Sequence, residues 1–261
     1  MADESLPDGW GPTTPSDDTL VRSGVESLAD RIRHMAGALG RPLVEADAWV
    51  GASLAATGMF SNAMLLTRPP TDWDGVAAAL AGLAPAGSPA LLLSPFPTPD
   101  LRPAGLVLIG HPPFMARPAG PVPPSSIDGL EVRRVTSGVD LRAFERTLIE
   151  GYPVPDMDAS ALPVLFPDGY LDGASVAYLG LVDGEAVGAA AAHVAAGVNH
   201  VEFIAVRPSA RGRGFGKALT AAASTTEPDL PAVLIASDDG RPVYAALGYL
   251  PLIRWTLWLA P

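Results

Sequence analysis

One segment in the second half of the chain constrains the fold more than any other. Within 25 residues its preferred backbone structure changes from strand to turn and then from turn to helix. The run His200–Val206 has the length and β-branched content of a buried strand. Pro208, which has no N–H to donate, ends the ladder, and the glycine-rich stretch Arg211–Gly216 follows it. From Lys217 onward a run of alanines favours helix. The predicted order is strand, glycine-rich turn, helix.

Such a turn is suited to binding an anion. The first N–H groups of a helix have no partner within the helix, and they carry a partial positive charge. Glycines let the backbone approach a phosphate closely. Arg211, Arg213 and Lys217 add positive charge nearby. The sequence therefore predicts a pyrophosphate site at the start of this helix.

Two common phosphate-binding motifs do not fit this turn. A dinucleotide-binding fingerprint that begins at Gly212 would need its third glycine where Lys217 stands. A P-loop aligned on Gly216 would need Ser or Thr where Ala218 stands. Neither a Rossmann site nor a P-loop is predicted.

The remaining pattern places Arg211, Gly214 and Gly216 after a strand that ends in Val. It resembles motif A of the GCN5-related N-acetyltransferase (GNAT) superfamily, which binds acetyl-CoA. About twenty residues further on, an apolar strand and a turn lead into Tyr244–Tyr249, which is similar to the family's motif B, Tyr-x-x-x-Gly-Phe/Tyr. An ordinary glycine-rich turn or a flexible RGG-like run is the alternative for the first motif alone. Both motifs together, in this order, identify the second half as resembling the family.

This resemblance implies an α/β (α+β) fold over residues 127–261, with a mixed, mainly antiparallel central sheet flanked by helices. The last predicted strand covers residues 252–259. The first half, 20–111, is predicted to be a smaller α+β domain with helices over 21–39 and 71–83. It is either a degenerate copy of the same fold, as in tandem acetyltransferases, or an unrelated α+β domain.

Proline and polar residues set the predicted boundaries. Six prolines between Pro112 and Pro124 predict a stiff, extended linker over 112–126 that separates the two domains. The polar residues 1–19 predict a disordered tail.

Composition excludes several classes of function. The chain has no cysteine, so disulfides, thiolate metal sites and a Cys nucleophile are excluded, and no metal is expected. A net charge of −11 argues against general nucleic-acid binding. Without a long apolar run or a signal-like N-terminus, the expectation is a cytoplasmic protein with no membrane partner, either a monomer or a homodimer.

The resemblance also implies a site for acetyl-CoA as co-substrate. Ile204, Ala205 and Val206, at the end of the motif-A strand, would pair with the pantetheine arm. The pyrophosphate would lie on backbone amides of the glycine-rich turn. The side chains of Arg211 and Arg213 either contact the phosphates or are solvated. The predicted phosphate-binding residues are Arg211, Gly212, Arg213, Gly214, Phe215, Gly216 and Lys217.

Two residues are candidates for catalysis. Tyr244 occupies the position of the family's general acid, and a phenol with an ordinary pKa near 10 is protonated at neutral pH. Glu202 is the first candidate for the general base, and His200, which shares its strand parity, is the second, with a water relay as a third possibility. A purely structural role is the alternative for each of these residues. His193, on the neighbouring strand, is predicted to be structural.

The acceptor would be an amine, on a small molecule or a protein. In the family its specificity comes from the segment after the first helix, here Tyr152–Tyr170, where aromatic faces and carboxylates could hold a cation. The predicted function is acetyl-CoA-dependent N-acetylation by direct attack of the amine on the thioester. The alternatives are a non-catalytic acyl-CoA-binding module, an oxygen acceptor and a longer acyl donor. The candidate acceptor residues are Tyr152, Asp156, Asp158, Phe166, Asp168 and Tyr170.

Overall fold

The protein is described by a computed structural model that covers residues 16–54, 61–123, 126–152, 160 and 162–261. Within these residues, two β-sheets are flanked by α-helices. Ordinary local signals set the elements. Asp72 caps one helix by accepting the amide N–H of Gly75 at 2.9 Å, and Ser137 caps another by accepting that of Asp140 at 3.2 Å.

The first half of the chain contributes two helices and five strands. The predicted helices are confirmed, and the longer one buries Val25, Leu28, Ile32 and Met35 along one face. The first strand was not predicted; it is a short, mostly exposed edge strand of four residues. The elements are α1 (Ser16–Ala38), β1 (Leu43–Ala46), β2 (Trp49–Ser53), β3 (Asn62–Leu66), α2 (Trp73–Ala81), β4 (Ala90–Ser94) and β5 (Val107–Gly110).

From Glu131 to Arg254 the second half runs strand, helix, three strands, helix, strand, helix and strand, with one further strand before this series and one after it. Its elements are β6 (Pro113–Arg117), β7 (Glu131–Arg134), α3 (Gly138–Gly151), β8 (Ser175–Val182), β9 (Glu185–Ala195), β10 (Val198–Val206), α4 (Phe215–Ser224), β11 (Ala232–Ile235), α5 (Arg241–Ala245), β12 (Leu250–Arg254) and β13 (Thr256–Ala260).

The strand order is β1-β2-β3-β4-β13-β5 in the first sheet and β12-β6-β11-β10-β9-β8-β7 in the second. Two strand pairs are parallel, β3 with β4 and β10 with β11, and the other described pairs are antiparallel. The predicted mixed, mainly antiparallel fold is therefore confirmed. A helix connects each parallel pair, α2 in the first half and α4 in the second. The tandem origin of the first half stays a prediction.

The proline-rich range 112–126, predicted to be a linker, contains a central strand. Strand β6 pairs with β11 on one side and β12 on the other, and it is buried along its length. The prolines did not prevent this, because they flank the apolar run Phe114–Ala116 and Pro113 stands at the first position of the strand. The prediction of an extended linker over this part of the chain is therefore wrong.

The predicted last strand, 252–259, is two strands in different sheets. Strand β12 lies at the edge of the second sheet, whereas β13 is inserted between β4 and β5 of the first. The change of sheet occurs at Trp255, which is fully buried and stacks on Phe114 with ring centroids 5.6 Å apart. The chain therefore passes from the first sheet to the second between β5 and β6, and it returns to the first sheet between β12 and β13.

Residues 126–261 alone are expected not to fold cooperatively. Without β6, strands β11 and β12 lose a partner each, and without β4 and β5, strand β13 loses both of its neighbours. The unfolding transition in urea, followed by circular dichroism, checks this against the full chain. A sharp transition for the fragment would show instead that the second half is an independent domain.

Helix α1 lies between the two halves. Its apolar face belongs to the same buried cluster as Val50 of β2, Phe114 of β6 and Ala189 of β9. Residues 16–19 of the predicted disordered tail form its first turn, and residues 1–15 lie outside the described residues. No helix in the described residues combines the length and the apolar character needed to cross a membrane.

Candidate active site

Strands β10 and β11 separate soon after they meet. Their parallel ladder consists of the pairs Asn199↔Ala232 and His200↔Val233, whereas β10 continues to pair with β9 as far as Val206↔Gly188. The β10–β9 ladder shifts register between Glu202 and Ala205, and Phe203, with φ 55°, adopts a left-handed conformation there. The bulge and the separation leave the β11 side of β10 without a strand partner over its second half, as far as the described residues go.

The glycine-rich turn leads directly from β10 into α4. Gly212 and Gly214 have φ of 77° and 83°, a region that disfavours any residue with a Cβ. A Cβ on Gly214 would also lie 2.9 Å from Cδ1 of Ile127. Residues 211–214 are exposed, and the buried Phe215 anchors the first turn of α4. The start of this helix therefore presents its amide groups at the surface.

The two arginines of this turn have contacts within the protein. Arg211 donates from Nε to the carbonyl of Val206 at 3.1 Å and from Nη2 to that of Gly151 at 2.8 Å. The guanidinium of Arg213 lies 4.5 Å from the ring centroid of Phe215. Arg211 thus ties the end of β10 to the end of α3. The assignment of residues 211–217 to phosphate binding stays a prediction.

A cavity of about 340 Å³ lies where the strands separate. Strand β10 contributes His200, Glu202, Phe203 and Ile204 to its wall, and α5 contributes Tyr244. The structure therefore brings both first candidates for catalysis, and the second candidate for the base, to one cavity. Ala205 and Val206 pair with β9 just beyond it.

Glu202 forms an ion pair that the sequence did not predict. Its Oε2 lies 3.1 Å from Nε of Arg31 in α1, and both side chains are nearly buried. Burial raises the pKa of the Glu202 carboxyl, and the nearby Arg31 cation partly offsets this by lowering it. The other oxygen, Oε1, has no hydrogen-bond partner among the described residues. Oε2 is thus paired with Arg31, and Oε1 is a buried acceptor.

His200 is a poor proton acceptor. Burial, with smaller effects from Arg31 and His193, lowers its pKa to about 3. Its imidazole is therefore neutral over the ordinary pH range, and protonating it there is costly. This favours Glu202 over His200 as the base. His193 itself is fully buried, with Nε2 2.8 Å from Asp30 and Nδ1 2.9 Å from Ser175, the surroundings of a structural residue.

Tyr244 is partly buried in the first turns after β11. Burial, with a smaller effect from Tyr152, raises the pKa of its phenol to about 12. A Cβ on Gly240 would lie 3.1 Å from the Tyr244 oxygen, so the ring packs closely against that glycine. The phenol is therefore protonated across the physiological range, as a proton donor must be.

The predicted acceptor segment is only partly at the cavity. Tyr152 and Phe166 line it. Tyr170 is fully buried, packs edge-on against Phe166 and does not line the cavity, and the Asp168 carboxylate is exposed. Asp156 and Asp158 lie outside the described residues.

Sequence analysis missed two charged residues that line the cavity, Arg31 and Glu145. Glu145 is fully buried in α3, and its Oε1 accepts the amide N–H groups of Val164 and Leu165 at 2.8 and 2.5 Å. Arg31 falls three residues after Leu28 and four before Met35, on the apolar face of α1. A charged residue on that face was the available signal. Among the described residues, no cluster of His, Cys, Asp and Glu could hold a metal ion.

Comparisons with known proteins agree with this geometry. Residues 141–249 match the model of the acetyltransferase (GNAT) family, while no curated protein matches the chain. A GCN5-related N-acetyltransferase from Kribbella flavida is similar over 89% of this chain and 95% of its own, with 23% identity and a TM-score of 0.60. A GNAT-family acetyltransferase from Novosphingobium aromaticivorans covers 89% and 97%, with 18% identity and a TM-score of 0.57.

A tandem GNAT protein from the clavulanic acid biosynthesis pathway is similar over 90% of this chain and 94% of its own, with 15% identity and a TM-score of 0.50. At these identities the similarity concerns the fold, and it extends over both halves of the chain. Residues 141–249, which contain α3, the separating strands, the glycine-rich turn and Tyr244, are a domain of the GNAT acetyltransferase family.

Proposed function

We propose that this protein is an acetyl-CoA-dependent N-acetyltransferase in which an amine attacks the thioester directly. The observation that carries the proposal is the cavity between β10 and β11, which both Glu202 and Tyr244 line. Family membership of this segment supports acyl transfer from acyl-CoA in general. The acetyl group, the amine acceptor and the residue roles are proposed here.

The residues present fit acetyl-CoA. On the side away from β9, strand β10 has no strand partner at Ile204–Val206 among the described residues, and it offers backbone groups there to the amides of a pantetheine arm. The Val206 carbonyl is the exception, because it accepts from Arg211. The turn at Gly212–Gly216 offers helix N-terminal amides to the pyrophosphate, and the positive φ of Gly214 disfavours any residue with a side chain there. When bound, acetyl-CoA supplies the activated acyl group.

Glu202 and Tyr244 would move the two protons of the reaction. Glu202 takes a proton from the amine, directly or through a water molecule, as the nitrogen forms a bond to the carbonyl carbon. The C–S bond then breaks, and Tyr244 gives its proton to the departing thiolate. Proton exchange with solvent restores both groups. No covalent enzyme intermediate is needed, in line with a chain that has no cysteine.

Replacing Gly214 with Ala is expected to weaken acetyl-CoA binding by roughly tenfold. A residue with a Cβ is strained by about 1–2 kcal/mol at a positive φ, so the loop relaxes and the amides turn away from the phosphate. Calorimetry on the full chain measures the affinity. The matched control is Gly105→Ala, with φ 85° in a distant turn, which should leave the affinity unchanged. If wild type, Gly214→Ala and Gly105→Ala bind acetyl-CoA with equal affinity, the phosphate does not bind at this loop.

A non-catalytic acyl-CoA-binding module is the competing function of another class. Saturable acetyl-CoA binding without turnover over a broad panel of amines would favour it. Turnover with alcohols would identify an oxygen acceptor, and turnover with longer acyl-CoA donors in place of acetyl-CoA would identify a longer acyl group. Release of free CoA, measured with a thiol reagent, serves all of these assays, because the chain itself contributes no thiol.

A further inference from the structure

The cavity is built from both halves of the chain. One side comes from β10, α3 and the residues after β11, which belong to the GNAT domain. The other side comes from the first half and from β13, which the first half holds in its sheet. The apolar side chains on that second side are Leu28, Ala63, Leu91, Leu93, Pro112 and Leu257, and Arg31, the partner of Glu202, also lies there.

The strand register fixes four of these residues on one face of the first sheet. Ala63 pairs with Leu91 across β3 and β4, and Leu93 pairs with Leu257 across β4 and β13. Leu91 and Leu93 are two residues apart and therefore point to the same side. The opposite face, with Met64 and Leu92, packs in a separate cluster. Ala63, Leu91, Leu93 and Leu257 are called here the apolar wall.

Three residues that line this cavity also carry buried polar atoms without partners among the described residues. Oε1 of Glu202, Nδ1 of His200 and Oε2 of Glu145 have no hydrogen-bond partner among the described residues. Two of the three belong to carboxyl groups, which accept N–H donors when they are ionised. A buried acceptor left unpaired is destabilising, so this end of the cavity is suited to a ligand that brings donors.

We propose that the acceptor is a small amine with an apolar body, whose nitrogen faces Glu202 and whose body lies against the apolar wall. This inference rests on the proposed function and names its substrate class. A polar body would lose its water against the wall without gaining hydrogen bonds there. The first half of the chain is thus the part that determines acceptor specificity, through the wall and through Leu28.

A pair of amines of equal chain length tests the proposal with the full-length protein and acetyl-CoA. Hexylamine carries an alkyl body, and 2-(2-aminoethoxy)ethanol carries ether and hydroxyl oxygens at the matching positions. Wild type is expected to prefer hexylamine by about tenfold or more in kcat/KM, since each buried methylene contributes several-fold. Equal kcat/KM values, or a lysine-containing peptide as a better substrate than either amine, would overturn the proposal.

Changing the wall shows whether it is the origin of that preference. Leu93→Asn is expected to reduce the hexylamine preference by at least about fivefold. The matched control is Leu108→Asn on β5 of the same sheet, an exposed residue outside the cavity, which should keep the wild-type ratio. The different basicity of the two amines is common to all variants and cancels. An unchanged ratio in a folded Leu93→Asn protein would overturn the assignment.

A second variant keeps the test decisive if Leu93→Asn does not fold. Leu93→Ala stays apolar but lengthens the space, so in a series of alkylamines its best substrate is expected to be longer than that of wild type. A shift in the preferred acyl-CoA length, with no shift for the amines, would assign the wall to the acyl donor and overturn the proposal. Absence of acetyl-CoA binding by wild type would overturn the proposed function itself, which calorimetry distinguishes from failure of the acceptor assignment.

Discussion

Tyr244→Phe is expected to lower kcat by about 10²-fold or more while the affinity for acetyl-CoA stays within a factor of about two. The substitution removes only the hydroxyl, so the ring can keep its packing against Gly240 and its edge-on contact with Tyr249. The departing thiolate would then have to take its proton from water. Steady-state turnover and calorimetric binding on the same preparation measure the two quantities.

Tyr178→Phe is the matched control for this prediction. Tyr178 also belongs to the GNAT domain, but its hydroxyl bonds Thr226 at 3.1 Å, and it does not line the cavity. Removing this hydroxyl should lower the free energy of unfolding by about 1 kcal/mol at most and leave kcat unchanged. If Tyr244→Phe turns over at the wild-type rate, Tyr244 is not the general acid. A parallel loss in both variants would show a general effect on folding.

The local features of the second half could be predicted because each has a local cause. Pro208 ends a ladder, Gly214 allows a positive φ, and the alanines after Lys217 favour helix, whatever lies elsewhere in the fold. The two motifs are also local, so the family could be recognised before the structure. The cavity then brought Glu202 and Tyr244 together, as the motif positions imply.

Long-range pairing explains what the sequence did not predict. The prolines in 112–126 indicate only that the backbone is locally stiff. Whether Phe114–Ala116 forms a strand depends on pairing with β11 and β12, which lie more than 100 residues away in the sequence. The break at Trp255 depends in the same way on a place for β13 between β4 and β5. Arg31 could be noticed as a charge on an apolar face, but its partner Glu202 lies on another element and in the other half.

Glu202→Gln is expected to lower kcat/KM by about 10²-fold and to remove the acid limb of its pH profile. The amide has nearly the shape of the carboxylate but cannot accept a proton from the amine. The acceptor's own pKa contributes equally to both profiles, so the difference belongs to the enzyme. Because this substitution would leave the Arg31 cation without its anion, thermal unfolding must show that the variant is folded. An unaltered acid limb would exclude Glu202 as the base.

Arg31→Gln tests the same base from the other side of its ion pair. The base is active as carboxylate, above its pKa, and Arg31 holds that pKa down against the effect of burial. Removing the cation should therefore raise the pKa and move the acid limb of kcat/KM to higher pH, with activity largely recovered above the new limb. His200 is already neutral there, since its pKa of about 3 lies well below the limb.

Arg33→Gln is the matched control for that shift, because it removes the same charge from the same helix. Arg33 pairs with Glu45 at 2.6 Å, is about half exposed and is not among the residues that line the cavity. Screening by solvent makes its influence on Glu202 small, so the acid limb should stay where it is in wild type. If both variants shift the limb equally, the cause is net charge; if only Arg31→Gln does, the helix of the first half sets the proton affinity of the base in the second.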